Sequence, residues 1–344
     1  MTGISLWLYV FFAGAVAMAI LWRAWRILRA CRSGKETPAA HPRPPFGDRC
    51  GTDLRTFFQK RWAAVLHTVL VVSFLGMCVD ALWYPLGAGG EAYRIFSAGN
   101  AALAAAAIAA AAGLLARRVR PIARYRSLSP AQRRDGFAVL ILEMVSAATL
   151  LAVYAGWQQG VWWHYGILLV FALYITFSKH LHLFLAPVYL AVFGRRETFS
   201  PDDMPEVTHE LDVLEGRTPA SETPPGRMGA CRASDFTRGR LLSAFSCTEC
   251  GRCESVCPVV VASDVPFSPR KIVADVRRAA IGKDDGVLYG KAITRDEAFA
   301  CISCGACLEA CPIAISPMDL LLQVRRYAVL EQGELPPEEA RVAE

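Results

Sequence analysis

Apolar positions in this chain come in long runs over its first half and at helical spacing over part of its second. Five runs are each mostly apolar and about 20 residues long, the length a helix needs to cross a bilayer. They are Ile4–Leu21, Trp62–Trp83, Ile95–Ala116, Phe137–Trp157 and Val161–Leu183, and the last continues through FLAPVYLAVF to Phe193. A buried core helix is also apolar, but the length of these runs and the Trp and Tyr at many of their ends favour membrane spans. Beyond Phe193 the pattern changes. Thr198 to Pro225 is rich in Pro, Glu, Asp and Thr and reads as a connector. PRKIVADVRRAAI and PMDLLLQVRRYAVLEQ then place apolar residues at helical spacing. The pattern predicts an all-α chain: a five-helix transmembrane bundle over 1–196, a connector over 197–233, a helical soluble domain over 234–333 and a charged tail over 334–344. No tandem repeat is visible beyond one doubled cysteine motif.

Charge sets the orientation. The chain has 344 residues, 54% of them apolar, and a net charge of +6. That total conceals +12 over residues 1–194 and −6 over 195–344. A nucleic-acid binder carries its positive charge on a soluble domain; here the excess lies between apolar runs, so nucleic acid is not an expected partner. Ten Lys/Arg lie from Arg23 to Arg61 and seven from Arg117 to Arg134, whereas Tyr84–Arg94 carries one and the first five residues none. By the positive-inside rule the N-terminus faces outward and everything after Arg195–Arg196 lies in the cytoplasm. The expected location is the cytoplasmic (inner) membrane. No positive region precedes the first apolar run, so it does not read as a signal peptide.

The soluble domain carries CTECGRCESVCP and CISCGACLEACP, two copies of C-x2-C-x2-C-x3-C-P. This is the spacing of bacterial two-cluster ferredoxins, in which the fourth Cys of each motif serves the other cluster. Three closely spaced thiolates take three corners of a cubane. Gly251 and Gly305 let the backbone approach inorganic sulfur, and Pro258 and Pro312 turn the chain away after the fourth Cys. The expected [4Fe–4S] ligands are Cys247, Cys250, Cys253 and Cys311 for one cluster, and Cys301, Cys304, Cys307 and Cys257 for the other. Zinc sites use two separated pairs, and disulfides do not suit a cytoplasmic domain. Cys31, Cys50, Cys78 and Cys231 lack such neighbours and read as ordinary thiols.

Four histidines, His67, His164, His180 and His182, lie in predicted spans, where ionisable residues are functional candidates. His67 lies near the inner end of the second span and His180 and His182 near the inner end of the fifth. A regular helix would place them about 27 Å below His164. Two facing imidazoles at one depth suit a bis-histidine haem b. Residues i and i+2 diverge by about 200° on a helix, so one of the pair is expected to ligate, with His182 favoured over His180. His164 faces Met77, Cys78 and Asp80 at the outer end, which points to one haem rather than two. The alternative is that these histidines pack or hydrogen-bond without a metal. Glu143 and Lys179 are expected at similar depth, where they either pair or serve a quinone headgroup. Asp80 reads as an interface residue, and His41 and His209 lie in soluble loops.

With these residues in place a family resemblance is legible. Five spans, His67 and FSKHLHLFLAP resemble the cytochrome b (gamma) subunit of respiratory nitrate reductase and the membrane subunit of heterodisulfide reductase. The cysteine domain resembles the α-helical ferredoxin found in the C subunit of heterodisulfide reductase and in succinate dehydrogenase iron–sulfur subunits. The same order occurs in membrane electron-transfer-flavoprotein:quinone oxidoreductases. The resemblance implies a subunit that passes electrons between a cytoplasmic dehydrogenase or reductase and the quinone pool. A CCG-domain protein or a flavoprotein is the implied partner. Two departures stand out: the nitrate reductase pattern has two His in its second helix, and the fused oxidoreductases continue into CCG domains. No Gly-rich nucleotide loop or flavin fingerprint is present. The competing expectations are a haem-free iron–sulfur anchor and a redox sensor without quinone chemistry.

Overall fold

The computed structural model describes residues 3–36, 61–84, 90–119, 130–193, 205–219, 226–282 and 286–336. Among them every regular element is a helix. The chain forms two compact units, one of 1–25 with 54–183 and the other of 26–53 with 184–344.

The long helices are α1 (Gly3–Arg32), α2 (Arg61–Trp83), α3 (Glu91–Val119), α4 (Pro130–Tyr154) and α5 (Gly160–Phe177). All five are long and apolar enough to cross a membrane. α1 runs eleven residues past Leu21, the end expected from the apolar run, and Arg29 and Arg32 in its last turn complement the helix dipole. In the first unit α3 packs between α2 and α4. Its buried face is Asn100, Ala104, Ala107, Ala110 and Ala111, small side chains that let neighbouring backbones come close. Phe74 of α2 meets Phe171 of α5 edge to face, with ring centres 5.0 Å apart.

The fifth apolar run corrects the expectation of one regular helix through His182. α5 stops at Phe177, and Ser178 is extended, with φ −93° and ψ 176°. Its hydroxyl accepts from the backbone N–H of His180 at 3.1 Å, a local bond that competes with helix continuation. One 3-10 turn, Lys179–Leu181, follows, and then α6 (His182–Phe193) with Pro187 inside it. The regular helix from His164 to His182 on which the 27 Å separation rested is therefore absent.

The second unit contains α7 (Pro205–Leu214), which lies in the stretch read as a connector. Glu206 in its first turn pairs with Lys35 at 3.0 Å. Then come α8 (Arg238–Ser246), α9 (Arg252–Ser255), α10 (Pro258–Ala262), α11 (Pro269–Ile281), α12 (Arg295–Ala300), α13 (Ala306–Glu309) and α14 (Pro317–Leu330). α11 and α14 are the two helices expected from periodicity. Ser268 and Ser316 cap them and Pro269 and Pro317 start them. Their apolar faces build a core with Phe236, Leu241, Leu288 and Ile293, and Ala186 and Tyr189 of α6 belong to it too. The chain beyond α1 joins this unit through backbone bonds, Lys35 N–H to Phe236 O at 2.9 Å and Arg238 N–H to Lys35 O at 3.0 Å.

Arg240 of α8 holds Asp319 of α14 with two parallel bonds, 2.8 and 3.1 Å, and both side chains are nearly buried. Removing one partner of such a pair leaves an uncompensated buried charge, at about 3–5 kcal/mol. Asp319→Ala is therefore expected to destabilise the second unit by that amount, read as an earlier midpoint for loss of visible cluster absorption in urea. An unchanged midpoint would show that the pair carries no such weight.

Candidate functional site

The eight motif cysteines line two cavities, each of about 380 Å³ with its open mouth included. Cys247, Cys250 and Cys253 share the first with Cys311 of the other motif. Cys301, Cys304 and Cys307 share the second with Cys257. Cys307 lines both, so the cavities are neighbours.

The local backbone explains how three cysteines of one turn reach one cavity. The three non-glycine residues with positive φ among those described are Glu249 (50°), Ser303 (57°) and Ala314 (52°). Glu249 and Ser303 each sit two residues after the first Cys of a motif. Their N–H groups donate back to that Cys Sγ, at 3.4 Å for Cys247 and 3.3 Å for Cys301. Gly251 and Gly305, at φ 74° and 76°, then start α9 and α13, which carry the third Cys. Cys257 caps α10 with Pro258 at its first position, as expected. Cys311 differs: it leads into a turn at Ala314, and Ile315 N–H donates to its Sγ at 3.3 Å.

The repeat is longer than the cysteine pattern. SPRKIVADVR and SPMDLLLQVR share Ser-Pro at the helix start and Arg nine residues after the Ser. Those arginines do the same job. Arg277 donates to Cys247 O at 3.4 Å and Arg325 to Cys301 O at 2.6 Å, so each long helix grips the carbonyl of one motif's first Cys. Arg277 also pairs with buried Glu249, and Arg270 with Glu254 beside Cys253 at 2.9 Å. The two cavities are not equivalent at the surface. Cys304 is exposed and Ile302 beside it is 63% exposed. Against the first cavity lies α6, where Ser246 donates to Leu185 O at 3.2 Å and Tyr189 to Ala314 O at 3.5 Å.

In the other unit the rings of His67 and His182 lie 6.1 Å apart and within 18° of parallel. Nδ1 of His182 is 3.0 Å from Lys179 O. A carbonyl only accepts, so Nδ1 carries the proton and Nε2 keeps its lone pair. The break at Ser178 undoes the expected divergence of His180 and His182, whose rings are 6.0 Å apart. His180 takes different partners: its Nδ1 is 3.3 Å from Ser178 Oγ and 3.6 Å from Asp135 Oδ2. Lys179 pairs with Asp135 at 3.6 Å, and Tyr174 donates to the same carboxylate at 2.6 Å. Glu143 and Lys179 are thus not brought together. Glu143 is buried elsewhere, and its Oε1 has no partner. Asp135 and Tyr174 were not singled out from sequence; the signal was an acidic residue following Arg133–Arg134 at the start of an apolar run. His164 is buried against Thr149, with Nδ1 3.0 Å from its hydroxyl. Asp80, read as an interface residue, is buried among the helices and accepts from Tyr93 and Tyr154 at 2.9 and 2.7 Å. His209 lies in α7, and His41 and Cys50 fall outside the described residues.

Residues 243–315 match the family model of a 4Fe-4S dicluster domain. A probable membrane-anchored ferredoxin of Chromohalobacter salexigens is 31% identical over 140 residues, 33% of this chain and 21% of the relative. The C subunit of the ferredoxin:CoB-CoM heterodisulfide reductase of Methanosarcina mazei is 34% identical over 105 residues, 30% of this chain and 56% of the relative. An EtfAB:quinone oxidoreductase of Syntrophomonas wolfei is 24% identical over 214 residues, 53% of this chain and 28% of the relative. The chain therefore spans between about a fifth and somewhat over half of the length of these relatives. No solved structure matches it. Its homologues are membrane-anchored ferredoxins and proteins like the heterodisulfide reductase C subunit.

The donor set suits iron–sulfur chemistry. Burial pushes the Cys247 and Cys307 thiols up to about 11 and Cys311 up to about 12, while Cys253 and Cys301 are raised for the same reason. Apolar walls disfavour bare thiolates, so iron must replace protons as it binds. In the iron-free chain, unfolded thiols ionise near about 8.5, whereas Cys247 and Cys307 ionise only near about 11 and Cys311 near about 12. The unfolded state then holds fewer protons across that window, and stability falls as pH rises through it. The urea midpoint of iron-free protein should drop between pH 9 and 11, and that of loaded protein, whose thiolates are already committed, should not. Parallel pH profiles for the two forms would contradict this.

Proposed function

We propose that the chain is a membrane-anchored electron-transfer subunit of an oxidoreductase complex, passing electrons between a soluble redox partner and membrane quinone. The observation that carries this reading is the exchange of cysteines between two adjoining cavities. Cys247, Cys250, Cys253 and Cys311 would hold one [4Fe–4S] cluster, and Cys301, Cys304, Cys307 and Cys257 the other. Iron–sulfur clusters and haem supply one-electron transfer when bound; the chain supplies position, burial and hydrogen bonds. The N–H bonds to Cys247, Cys301 and Cys311 stabilise charge on their sulfurs and so tune the potential. The exposed Cys304 side is where the soluble partner, a CCG-domain protein or a flavoprotein of the cytoplasmic dehydrogenase or reductase type, would meet the chain.

His67 and His182 would hold one haem b, which supplies one-electron transfer when bound. The rings here are 6.1 Å apart. The Nδ1 bond of His182 to a backbone carbonyl is the support that metal-bound imidazoles receive. His180 is assigned to the group around Asp135 rather than to the haem. Lys179, His180, Asp135 and Tyr174 offer hydrogen bonds and exchangeable protons to a quinone headgroup, and one relative is named for quinone chemistry. This part of the reading also draws on the resemblance to the gamma subunit of nitrate reductase, with the cytoplasm as the expected side for the cysteine domain.

Two measurements test it. The reduced protein should show the visible α-band of haem b, and His67→Ala and His182→Ala should each abolish it while leaving iron–sulfur absorption intact, with His180→Ala keeping it. Iron-replete protein without that band would leave a haem-free anchor or a redox sensor. Cys311→Ala should remove roughly half of the cluster iron, together with one of the two reduced-state paramagnetic signals. Loss of both signals, or of neither, would contradict the partition of cysteines.

A further inference from the structure

The bundle of α2 to α5 holds buried polar atoms that electron transfer does not use. Ser73, Asn100, Glu143, Ser146 and His164 are each at most 3% exposed. Each keeps one atom without a partner: Oγ of Ser73 and Ser146, Oδ1 of Asn100, Oε1 of Glu143 and Nε2 of His164. A network that served only to hold the helices would close on itself. This one leaves open atoms on all four helices.

These atoms lie at graded depths. Asp80 of α2 meets Tyr93 of α3, and Arg118 of α3 packs on Gly136 of α4, so α2 and α4 run parallel with α3 between them. Ser73, Gly76 and Asp80 fall on one stripe of α2, and Glu143, Ser146 and Tyr154 on one stripe of α4. The stripes join at the Tyr154–Asp80 bond, and Asn100 donates to both Tyr154 Oη (3.2 Å) and Gly76 O (3.3 Å). Seven residues back from Asp80 is Ser73, and eight back from Tyr154 is Ser146, so the two open hydroxyls share a level. Between them and Tyr154 lies Thr149, bonded to His164. Helical rise gives steps of about 7.5 Å from Tyr154 to Thr149 and about 4.5 Å each to Ser146 and Glu143. These are axial spacings, with Met77 and Leu150 packed on the same two stripes, so the bridging waters would run beside them, settling on the buried polar groups that lack protein partners.

We propose that this seam is a water-bridged proton path from the Asp80 end of the bundle to the carboxyl group of Glu143. Tyr154, Asn100, His164, Ser146 and Ser73 form its hydrogen-bonding walls. The step is proton transfer alone: at each hop one O–H or N–H bond breaks as the next forms, one proton travels from bulk water to Glu143, and no electron moves. A carboxyl group alone in an apolar bundle carries its proton, since an unpaired charge there is costly, so Glu143 is a store that the seam refills. The inference deepens the electron-transfer reading, because charge moved into a low-dielectric bundle needs a proton nearby.

Infrared spectroscopy of the full-length, oxidised protein in lipid nanodiscs tests it without quinone. Wild type should show a carboxylic acid carbonyl band that Glu143→Gln removes and that shifts on transfer to D2O. Ser146→Ala and Tyr154→Phe should each slow that shift about tenfold or more, as a weakened relay step would. Ser146→Ala is the safer variant, because the hydroxyl it deletes holds no partner. The proposal is overturned if no band belongs to Glu143, or if the band shifts at the wild-type rate in Ser146→Ala protein with intact cluster absorption. Neither result depends on haem or on electron flow, so the two readings fail separately.

Discussion

A cysteine that serves the neighbouring motif's cavity has to be carried out of its own turn and held there against apolar walls. In the second unit this crossing governs the rest of the design. Cys257 leaves through Pro258 and α10, and Cys311 through a tight turn with Ala314 at positive φ. Each crossing fixes one cavity against the other, so neither motif can move alone. α11 and α14 then close over the pair, and their burial gives the unit a core despite its short helices.

The same crossing accounts for where the backbone is strained. Left-handed conformations cost a non-glycine residue roughly 1–2 kcal/mol, and the three found among the described residues all lie in or beside the cysteine motifs. Two of them aim an N–H at the sulfur of the preceding Cys, and the third lies next to the N–H that reaches Cys311. Strain is tolerated where the surroundings overdetermine it. Here Arg277 and Arg325 do so by gripping the carbonyls of Cys247 and Cys301. Glycine would relax Glu249, yet it would also lose the carboxylate that holds Arg277 in place.

Much of this was legible in sequence because metal-ligand spacing and helical periodicity are local signals. The cysteines, the left-handed glycines, the five apolar helices and the frame of α11 were all readable that way. What escaped were features set by partners distant in the chain. The Ser-Pro to Arg repeat is four matched positions in two ten-residue segments, which gains meaning only once both arginines are seen on equivalent carbonyls. α7 was hidden by its connector-like composition and packs through Glu206 on Lys35, over 170 residues away. Asp135 looked like one more loop charge until Tyr174, Lys179 and His180 gathered round it.

The break at Ser178 has the largest consequence for chemistry. A continuous helix would send His180 and His182 to nearly opposite faces, so one of them would be wasted on lipid or on packing. Stopping α5 forfeits backbone bonds, and the Ser178 hydroxyl and the 3-10 turn recover part of that loss. In return both rings stay within 6.0 Å of each other with different partners. One has Nδ1 held by the carbonyl of Lys179 and its ring stacked on His67. The other has Nδ1 between the Ser178 hydroxyl and the Asp135 carboxylate. A single serine therefore lets two histidines, two residues apart, keep their rings close while each takes its own partners, which a regular helix could not offer at that spacing.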